Sequence, residues 1–359
     1  MASIEELRAR IDSVDDQMVR LINDRAQAAA DIGRLKASSG TAVFAPDRER
    51  EVLDRICRLS TGPVSQQSLL AIYRELMSSS FALERPPRVA YLGPEGSYSH
   101  EAALGKFGAS VEYESIADIT GVFEEIARGH VNYGVVPVEN RWAGAVVDTL
   151  DSFIEHDVQI CNEIHREIHQ NLMARCGIEK IAVVYSKPEA FAQCQRWLAE
   201  TGLVHKQTPV PSTSRAAQQA AEEPHAAAIG SRLASRLYDL PVLAANIEDH
   251  PRNTTRFFVI GRESAKPTGS DRTSLMFLTA NRAGALVGVL LVFQKTAINM
   301  TMITSRPSHR ADREYHFFVD IDGHADDPVI KAAIESAAQH CQKLRVLGSY
   351  PRSTEVVAA

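Results

Sequence analysis

Three textures follow one another along the 359 residues, and they predict a multidomain protein: an all-α head over residues 1–85, an α/β middle over 88–263 and an α+β, ferredoxin-like tail over 271–350. The head is predicted by an apolar beat of coiled-coil period in its opening stretch. The middle is predicted by short buried-strand patterns that alternate with helical ones. The tail is predicted by a βαββαβ order that begins after a polar, proline-containing join at residues 263–271.

In the head, Leu7, Ile11, Val14, Met18 and Leu21 step by four and three, as do Ala28, Ile32 and Leu35, so a helix over residues 7–36 carries one seam. Arg25 stands where the next seam residue belongs. A guanidinium there is costly unless its stem snorkels to the helix rim or an anion meets it. Lys36 points to nearly the same side about three turns on, whereas Arg8 is too distant to share a small ligand along one straight helix. Two such helices crossing antiparallel would bring Arg8 of one chain toward Arg25 and Lys36 of the other. A solvated Arg25 and a cationic pocket at a dimer interface therefore both stand open. Pro46-Asp47-Arg48-Glu49 opens a second helix with proline and acids in its first turn, and Ser60-Thr61-Gly62-Pro63 ends it. A third helix, over about residues 65–83, turns Leu69, Ile72, Leu76 and Phe81 inward and places Ser80 and Glu84 one turn apart on one face. Three helices of unequal length make a thin core for one chain, so pairing of two chains is expected.

From residue 88, Val89-Ala90-Tyr91-Leu92 reads as a buried strand feeding the loop Gly93-Pro94-Glu95-Gly96-Ser97 at a helix start, where free amides suit a carboxylate. Residues 133–138 form another strand, which ends in Glu139-Asn140-Arg141-Trp142-Ala143-Gly144 before a helix over 145–154. Strand and helix follow at 181–185 and 188–198, and again at 226–229 and 232–238, with a last strand at 255–261. Loops at the carboxyl ends of such strands are where α/β sheets hold ligands. In the tail, strands at 274–278, 298–303, 315–320 and 344–347 alternate with helices at 284–295 and 329–339, and residues 352–359 read as a frayed end.

The composition, 45% hydrophobic and 23% charged, is that of an ordinary soluble protein, and a formal charge of −6 gives no reason to expect nucleic-acid or membrane binding. An anionic substrate must be attracted by local arginines. Five scattered cysteines with no Cys-x-x-Cys spacing argue for reduced thiols. With no apolar leader and no run of membrane length, a cytoplasmic location is expected.

With these motifs in their order, Gly93-Pro94-Glu95-Gly96, residues 133–140, Asn253-Thr254-Thr255-Arg256-Phe257, Gly284-Ala285-Leu286 and Ser305-Arg306-Pro307, residues 1–350 resemble the bifunctional chorismate mutase/prephenate dehydratase family. The resemblance implies an AroQ-type all-helical mutase, an intertwined homodimer whose substrate meets Arg8 of one protomer and Arg25, Lys36, Arg48, Glu49, Ser80 and Glu84 of the other. Chorismate to prephenate is a pericyclic rearrangement that needs no nucleophile and no cofactor, so it must be catalysed by holding a reactive chair and stabilising charge on the breaking ether. Arginines suit the two carboxylates, Lys36 the ether oxygen, and Glu84 assists only when protonated, so mutase activity is expected to fall as pH rises through the Glu84 pKa. Ala45 stands where some members carry an acid. The middle then resembles a two-lobed, periplasmic-binding-protein-like dehydratase, with Thr255 as its key hydroxyl, Arg256 as a carboxylate or cleft-ordering partner, and Asn140, Gln193, Ser97 and Ser212-Thr213 at the cleft. The tail resembles an ACT domain that dimerises and binds phenylalanine through Gly284, Ala285, Leu286, Asn299, Ser305 and Arg306, with Thr304 where the family usually has glutamate.

Arg141-Trp142-Ala143 departs from the family, which has a hydroxyl residue and small or polar ones there. Side chains of that size pointing inward would reshape the cleft. The expected activity is chorismate to prephenate to phenylpyruvate with phenylalanine feedback. The alternatives are a mutase whose middle domain only binds ligand, or one fused to a non-aromatising prephenate decarboxylase.

Overall fold

The computed structural model describes the backbone of residues 2–39, 44–84, 86–307, 314–353 and 356–357, and the side chains of all of these except 36–39, 84 and 356–357. The chain divides into two compact units, residues 1–88 with 107–112, and residues 89–106 with 113–359.

The first unit holds α1 (Ile4–Ser39), α2 (Pro46–Leu59) and α3 (Gln66–Glu84). Pro46 occupies the first turn of α2, where its missing N–H removes no helix bond. Ser65 starts α3 by accepting from the Ser68 N–H at 3.1 Å. Both α1 and α2 pack on α3. Phe44, Ile56 and Met77 are buried, and Phe44 lies edge-on to Phe81 with their ring centres 6.0 Å apart. Along α1, Leu7, Ile11, Val14, Met18 and Leu21 remain between 46% and 66% exposed. The seam read from the sequence is thus uncovered within its own chain.

The second unit runs β1 (Arg88–Leu92), α4 (Tyr98–Phe107), β2 (Glu112–Ile116), α5 (Ile119–Arg128), β3 (Tyr133–Asn140), β4 (Gly144–Ala145), α6 (Val147–Glu155), β5 (Gln159–Glu167) and β6 (Asn171–Ala174). It continues through β7 (Val183–Ser186), α7 (Pro188–Gln193), α8 (Gln195–Glu200), β8 (Gln207–Pro209), α9 (Thr213–Glu222), β9 (Ala226–Gly230), α10 (Arg232–Leu237), β10 (Val242–Ala244) and β11 (Thr254–Gly261). Two sheets result. The first lobe has the order β16-β5-β11-β3-β1-β2 with β4 on β3, where β16 is Val356–Val357, and the second has β10-β6-β9-β7-β8. The chain crosses between the lobes after β5 and again before β11. The two crossing segments run side by side, with Ile168 N donating to Asn253 O at 2.7 Å and Ile247 N to Gln170 O at 2.8 Å.

β12 (Asp271–Leu278), α11 (Ala285–Lys295), β13 (Met300–Pro307), β14 (Tyr315–Asp322), α12 (Pro328–Ala338) and β15 (Lys343–Pro351) form a C-terminal domain with strand order β13-β14-β12-β15. Its sheet is covered on both faces except along the edge strand β13, whose alternate residues are exposed. Leu275, Phe277, Val319 and Ile321 meet the helices, while Met276, Phe318, Leu347 and Tyr350 join the core of the first lobe around Phe153 and Phe258. Gly348 of β15 has no side chain where a Cβ would strike the Ile160 backbone of β5.

Two expectations change. Residues 188–198 form two short helices, because Cys194 leaves helical geometry at φ −120° and ψ 17°, and the Gln193 carbonyl accepts from Asp249 N at 2.6 Å instead of continuing the ladder. Part of the tail is ordered into the sheet: Val356 and Val357 pair in parallel with β5, and Arg352 N donates to Ser270 O at 2.9 Å.

Candidate active sites

In the helical unit, Arg25 is half-buried and does not splay into solvent. Its Nη1 donates to Leu76 O at 3.0 Å and to Ser80 Oγ at 2.8 Å, and Ser80 Oγ in turn donates to Leu76 O at 2.8 Å. These side chains edge a cavity of ≈ 470 Å³ whose floor is apolar, with Ala28, Ile32, Val52 and Met77, and whose cations are Arg25, Arg48 and Arg55. Ala45 and Glu49 also line it. Arg48 reaches it while holding Glu51 at 2.7 Å. Arg55 was not anticipated, although it lies two turns beyond Arg48 on the same helix face. The chain does not bring Arg8 here, since Arg8 is exposed on α1 roughly 25 Å of helix rise from Arg25. The side chains of Lys36 and Glu84 lie outside the described residues.

The second constellation sits where the crossing segments meet the ends of β3 and β11. Asn140 and Thr255 are paired across the two strands. Asn140 Oδ1 accepts from the backbone N–H groups of Trp142 and Ala143, both at 3.0 Å, which fixes the orientation of its amide. Its Nδ2 therefore donates to Asn253 Oδ1 at 2.9 Å and to Thr255 Oγ1 at 2.8 Å. Thr255 accepts that bond, so its own O–H remains to be given away. Asn253 passes its Nδ2 to Gln193 Oε1 at 3.3 Å, and Gln170 Nε2 donates to the same oxygen at 3.0 Å. With the Gln193 oxygen occupied twice, its amide N–H groups are left for a ligand. Tyr98 anchors the chain by its hydroxyl, 2.9 Å from Gln170 Oε1, and burial keeps that phenol protonated by raising its pKa well above 10.0. Glu248 holds the same crossing from behind, 2.9 Å from Gln170 N and 2.6 Å from His169 Nδ1.

The Arg141-Trp142-Ala143 departure acts at the rim. Both 142 and 143 serve Asn140 through main-chain N–H groups, which residues of any side-chain size supply. Arg141 is exposed, and Trp142, 54% exposed, stacks on His250 with ring centres 4.3 Å apart. Ser97 and Ser212 serve as helix caps. Ser97 Oγ accepts from His100 N and donates to Leu92 O, while Ser212 Oγ accepts from Arg215 N. Arg256, expected as a carboxylate or cleft-ordering partner, does not face the relay. As the strand neighbour of Thr255 it leaves the opposite face of β11, away from the hydroxyl, and is bound to Glu163 and Asp320. Asn253 was quoted as part of a motif but not as a site residue. Gln170, Tyr98 and Glu248 carry no local sequence signal.

In the C-terminal domain, Gly284 precedes α11 at φ 80°, with Ala285 buried and Leu286 packed on the core. Asn299 Nδ2 donates to Asp322 Oδ2 at 2.9 Å. Ser305 lies exposed on the edge strand β13. Arg306 beside it grips Asp151 of α6 with two bonds, at 2.9 and 2.6 Å, so the side chain expected at a ligand is here an interdomain clamp.

A helical unit with an arginine-edged cavity, a two-lobed α/β domain with a polar relay at its crossing and a four-stranded C-terminal domain define a fused enzyme with an appended α+β domain. Three families match in that order: Chorismate mutase type II over residues 7–85, Prephenate dehydratase over 89–265 and ACT domain over 273–339. The chain is 43% identical over 357 residues to a bifunctional chorismate mutase/prephenate dehydratase of Stutzerimonas stutzeri, spanning 98% of each chain. It is 42% identical to that of Aquifex aeolicus, over 98% of this chain and 99% of the other. The prephenate dehydratase of Arthrobacter aurescens, solved in complex with L-Phe, covers 74% of this chain and 90% of its own at 30% identity and TM-score 0.69. The chain belongs to the bifunctional chorismate mutase/prephenate dehydratase family. It converts chorismate to prephenate and prephenate to phenylpyruvate.

Proposed function

We propose that dehydration rests on the hydroxyl of Thr255, and the observation that carries this is the direction of its bond with Asn140. Loss of the ring carboxylate as CO2 sends its electron pair into the ring, and the ring expels the hydroxyl group, which needs a proton to leave as water. Thr255, forced to accept from Asn140, points its O–H outward as a donor to that leaving oxygen. A threonine hydroxyl is a weak acid, so its role is to stabilise developing negative charge on the leaving oxygen, which takes its proton from solvent as it departs as water, with the free Gln193 amide as a second donor to the substrate. Because the replaced residues 141–143 act through backbone N–H groups, the geometry favours a dehydratase over a ligand-binding module or a non-aromatising decarboxylase.

In the helical unit, Arg25 with Ser80, Arg48 and Glu49 receives the dicarboxylate, and the exposed α1 seam supports a homodimer in which Arg8 of a partner chain completes the cavity. Phenylalanine is the effector of the C-terminal domain, entering at Gly284, Ala285 and Leu286, with Asn299, Ser305 and Arg306 nearby. The two biosynthetic activities fit a cytoplasmic protein. Feeding chorismate to the pure protein at neutral pH beside an enzyme-free control tests the scheme. Phenylpyruvate is expected, whereas accumulated prephenate or a non-aromatic decarboxylated keto acid overturns the dehydratase reading.

A further inference from the structure

All three guanidinium nitrogens of Arg256 donate to buried acceptors. Nε and Nη2 reach Glu163 Oε2 at 2.8 and 2.7 Å, Nη1 reaches Asp320 Oδ2 at 2.5 Å, and Nη2 also reaches the Tyr350 hydroxyl at 2.9 Å. Asp320 Oδ1 accepts from Ser274 Oγ at 2.6 Å, and Arg272 Nη1 adds a second cation to Glu163 at 2.7 Å. The cluster thus balances two arginines against two carboxylates. Glu163 comes from β5 of the first lobe, whereas Asp320, Tyr350, Ser274 and Arg272 come from the C-terminal domain. Arg256 is 6% exposed, Asp320 and Tyr350 0%. Charges so deeply buried tolerate little misplacement, because an unpaired one has no water to turn to.

The backbone at this point is paired on both sides: β11 runs in unbroken register with β5 from Thr254 to Val259, and Thr255 and Arg256 face Asn140 and Glu139 of β3. Between Arg256 and Phe257 the pairing of β11 with β3 slips, Arg256 facing Glu139 and Phe257 facing Pro137. The extra residue, Val138, lies on β3, so the bulge sits on the strand that carries Asn140 while β11 itself stays regular. The residue on the other side of Arg256 is Thr255. Beyond these ladders, the far face of the strand is held by the side-chain cluster, and most of that cluster belongs to the C-terminal domain.

We propose that Arg256 is a positioning residue, and that its pairing with Asp320 makes the aim of the Thr255 hydroxyl depend on the conformation of the C-terminal domain. The proposal rests on Thr255 as the reacting hydroxyl. The test uses full-length Asp320→Asn, Tyr350→Phe and Thr255→Val, assayed with prephenate well below each melting midpoint, with mutase activity followed on the same samples. Asp320→Asn lowers dehydratase kcat about tenfold, as expected for a weakened charged hydrogen bond, while KM stays within about threefold and mutase activity is unchanged. The solvent deuterium isotope effect on kcat rises, because a weakened hydrogen bond from Thr255 leaves protonation of the departing oxygen to limit the rate more; a smaller folded fraction would leave it unchanged. Tyr350→Phe removes one neutral acceptor and keeps the ring in place, lowering kcat about two- to fivefold, and it decides the matter should Asp320→Asn fail to fold. Wild-type kcat in both variants, an effect on KM alone, or an unmoved isotope effect overturns the proposal. Full activity in Thr255→Val sinks the Thr255 reading as well, whereas loss there with no change in the other two sinks the coupling alone.

Discussion

Thr255 Oγ1 lies 2.8 Å from Asn140 Nδ2 and receives that hydrogen bond, because two backbone N–H groups already occupy the Asn140 oxygen. Thr255→Val keeps the shape and removes the donor, and phenylpyruvate formation from prephenate is expected to fall by about 10²–10⁴. Thr255→Ser retains the donor and keeps a substantial part of the rate. Both leave chorismate consumption intact. Equal rates for the valine and serine variants would remove the hydroxyl from the mechanism.

The rim is expected to matter through its backbone. Trp142→Ala loses the stack on His250, worth about 0.5–1.5 kcal/mol at most, and dehydratase kcat stays within about threefold of wild type. Ala143→Pro deletes an amide that holds Asn140 and costs at least about tenfold. Steady-state kinetics on prephenate compare the pair, and a larger loss in Trp142→Ala than in Ala143→Pro contradicts this account.

For the mutase, Arg25→Ala removes the half-buried guanidinium bound to Ser80 and is expected to cost about a hundredfold or more in kcat/KM, with dehydration untouched. Val14→Glu places a charge on the uncovered seam of α1. Sedimentation should show dissociation to monomers together with loss of mutase activity, since Arg8 would then reach no partner cavity. A fully active monomer contradicts the composite site.

Acid should weaken the cluster around Glu163. Burial raises that carboxyl's pKa, but the His165 hydrogen bond and the charges of Arg256 and Arg272 outweigh it and hold it at about 2 against an ordinary 4.5. A depressed carboxyl contributes its stabilisation in full above its unfolded pKa and loses it as pH falls through 4.5 toward 2. The contribution is on the order of 3 kcal/mol at neutral pH. Glu163→Gln is therefore less stable than wild type at pH 7, and the gap narrows toward pH 3 in denaturant titrations. A gap independent of pH rules out the ionised pairing as its source.

Effector binding has a built-in competitor. For Arg306 to meet a phenylalanine carboxylate it must release Asp151, and Asp151→Asn weakens that grip. Calorimetry should then show phenylalanine bound about two- to fivefold more tightly, a modest gain because the pair is partly exposed. Weaker binding in Asp151→Asn would instead make Asp151 part of the ligand site.

Much of this was legible in the residues. The α1 seam, the misplaced Arg25 and the strand–helix alternation follow from periodicity and turn chemistry, which are local. Thr255 and Asn140 were legible because short motifs carry them, Gln193 was implied only by the family resemblance, and Arg306 was legible as a charged residue but not as a clamp on Asp151.

The tertiary structure alone decided which faces meet. Strand parity says that Thr255 and Arg256 point opposite ways, but β11 is buried on both sides, so no polar–apolar alternation marks one face as the site and the other as the contact with Asp320 and Tyr350. The relay through Asn253, Gln170 and Tyr98 joins residues up to 155 positions apart in sequence, Tyr98 to Asn253. Local sequence encodes which way a side chain leaves its own element; what it then touches is set by the packing of sheets brought together by the rest of the chain.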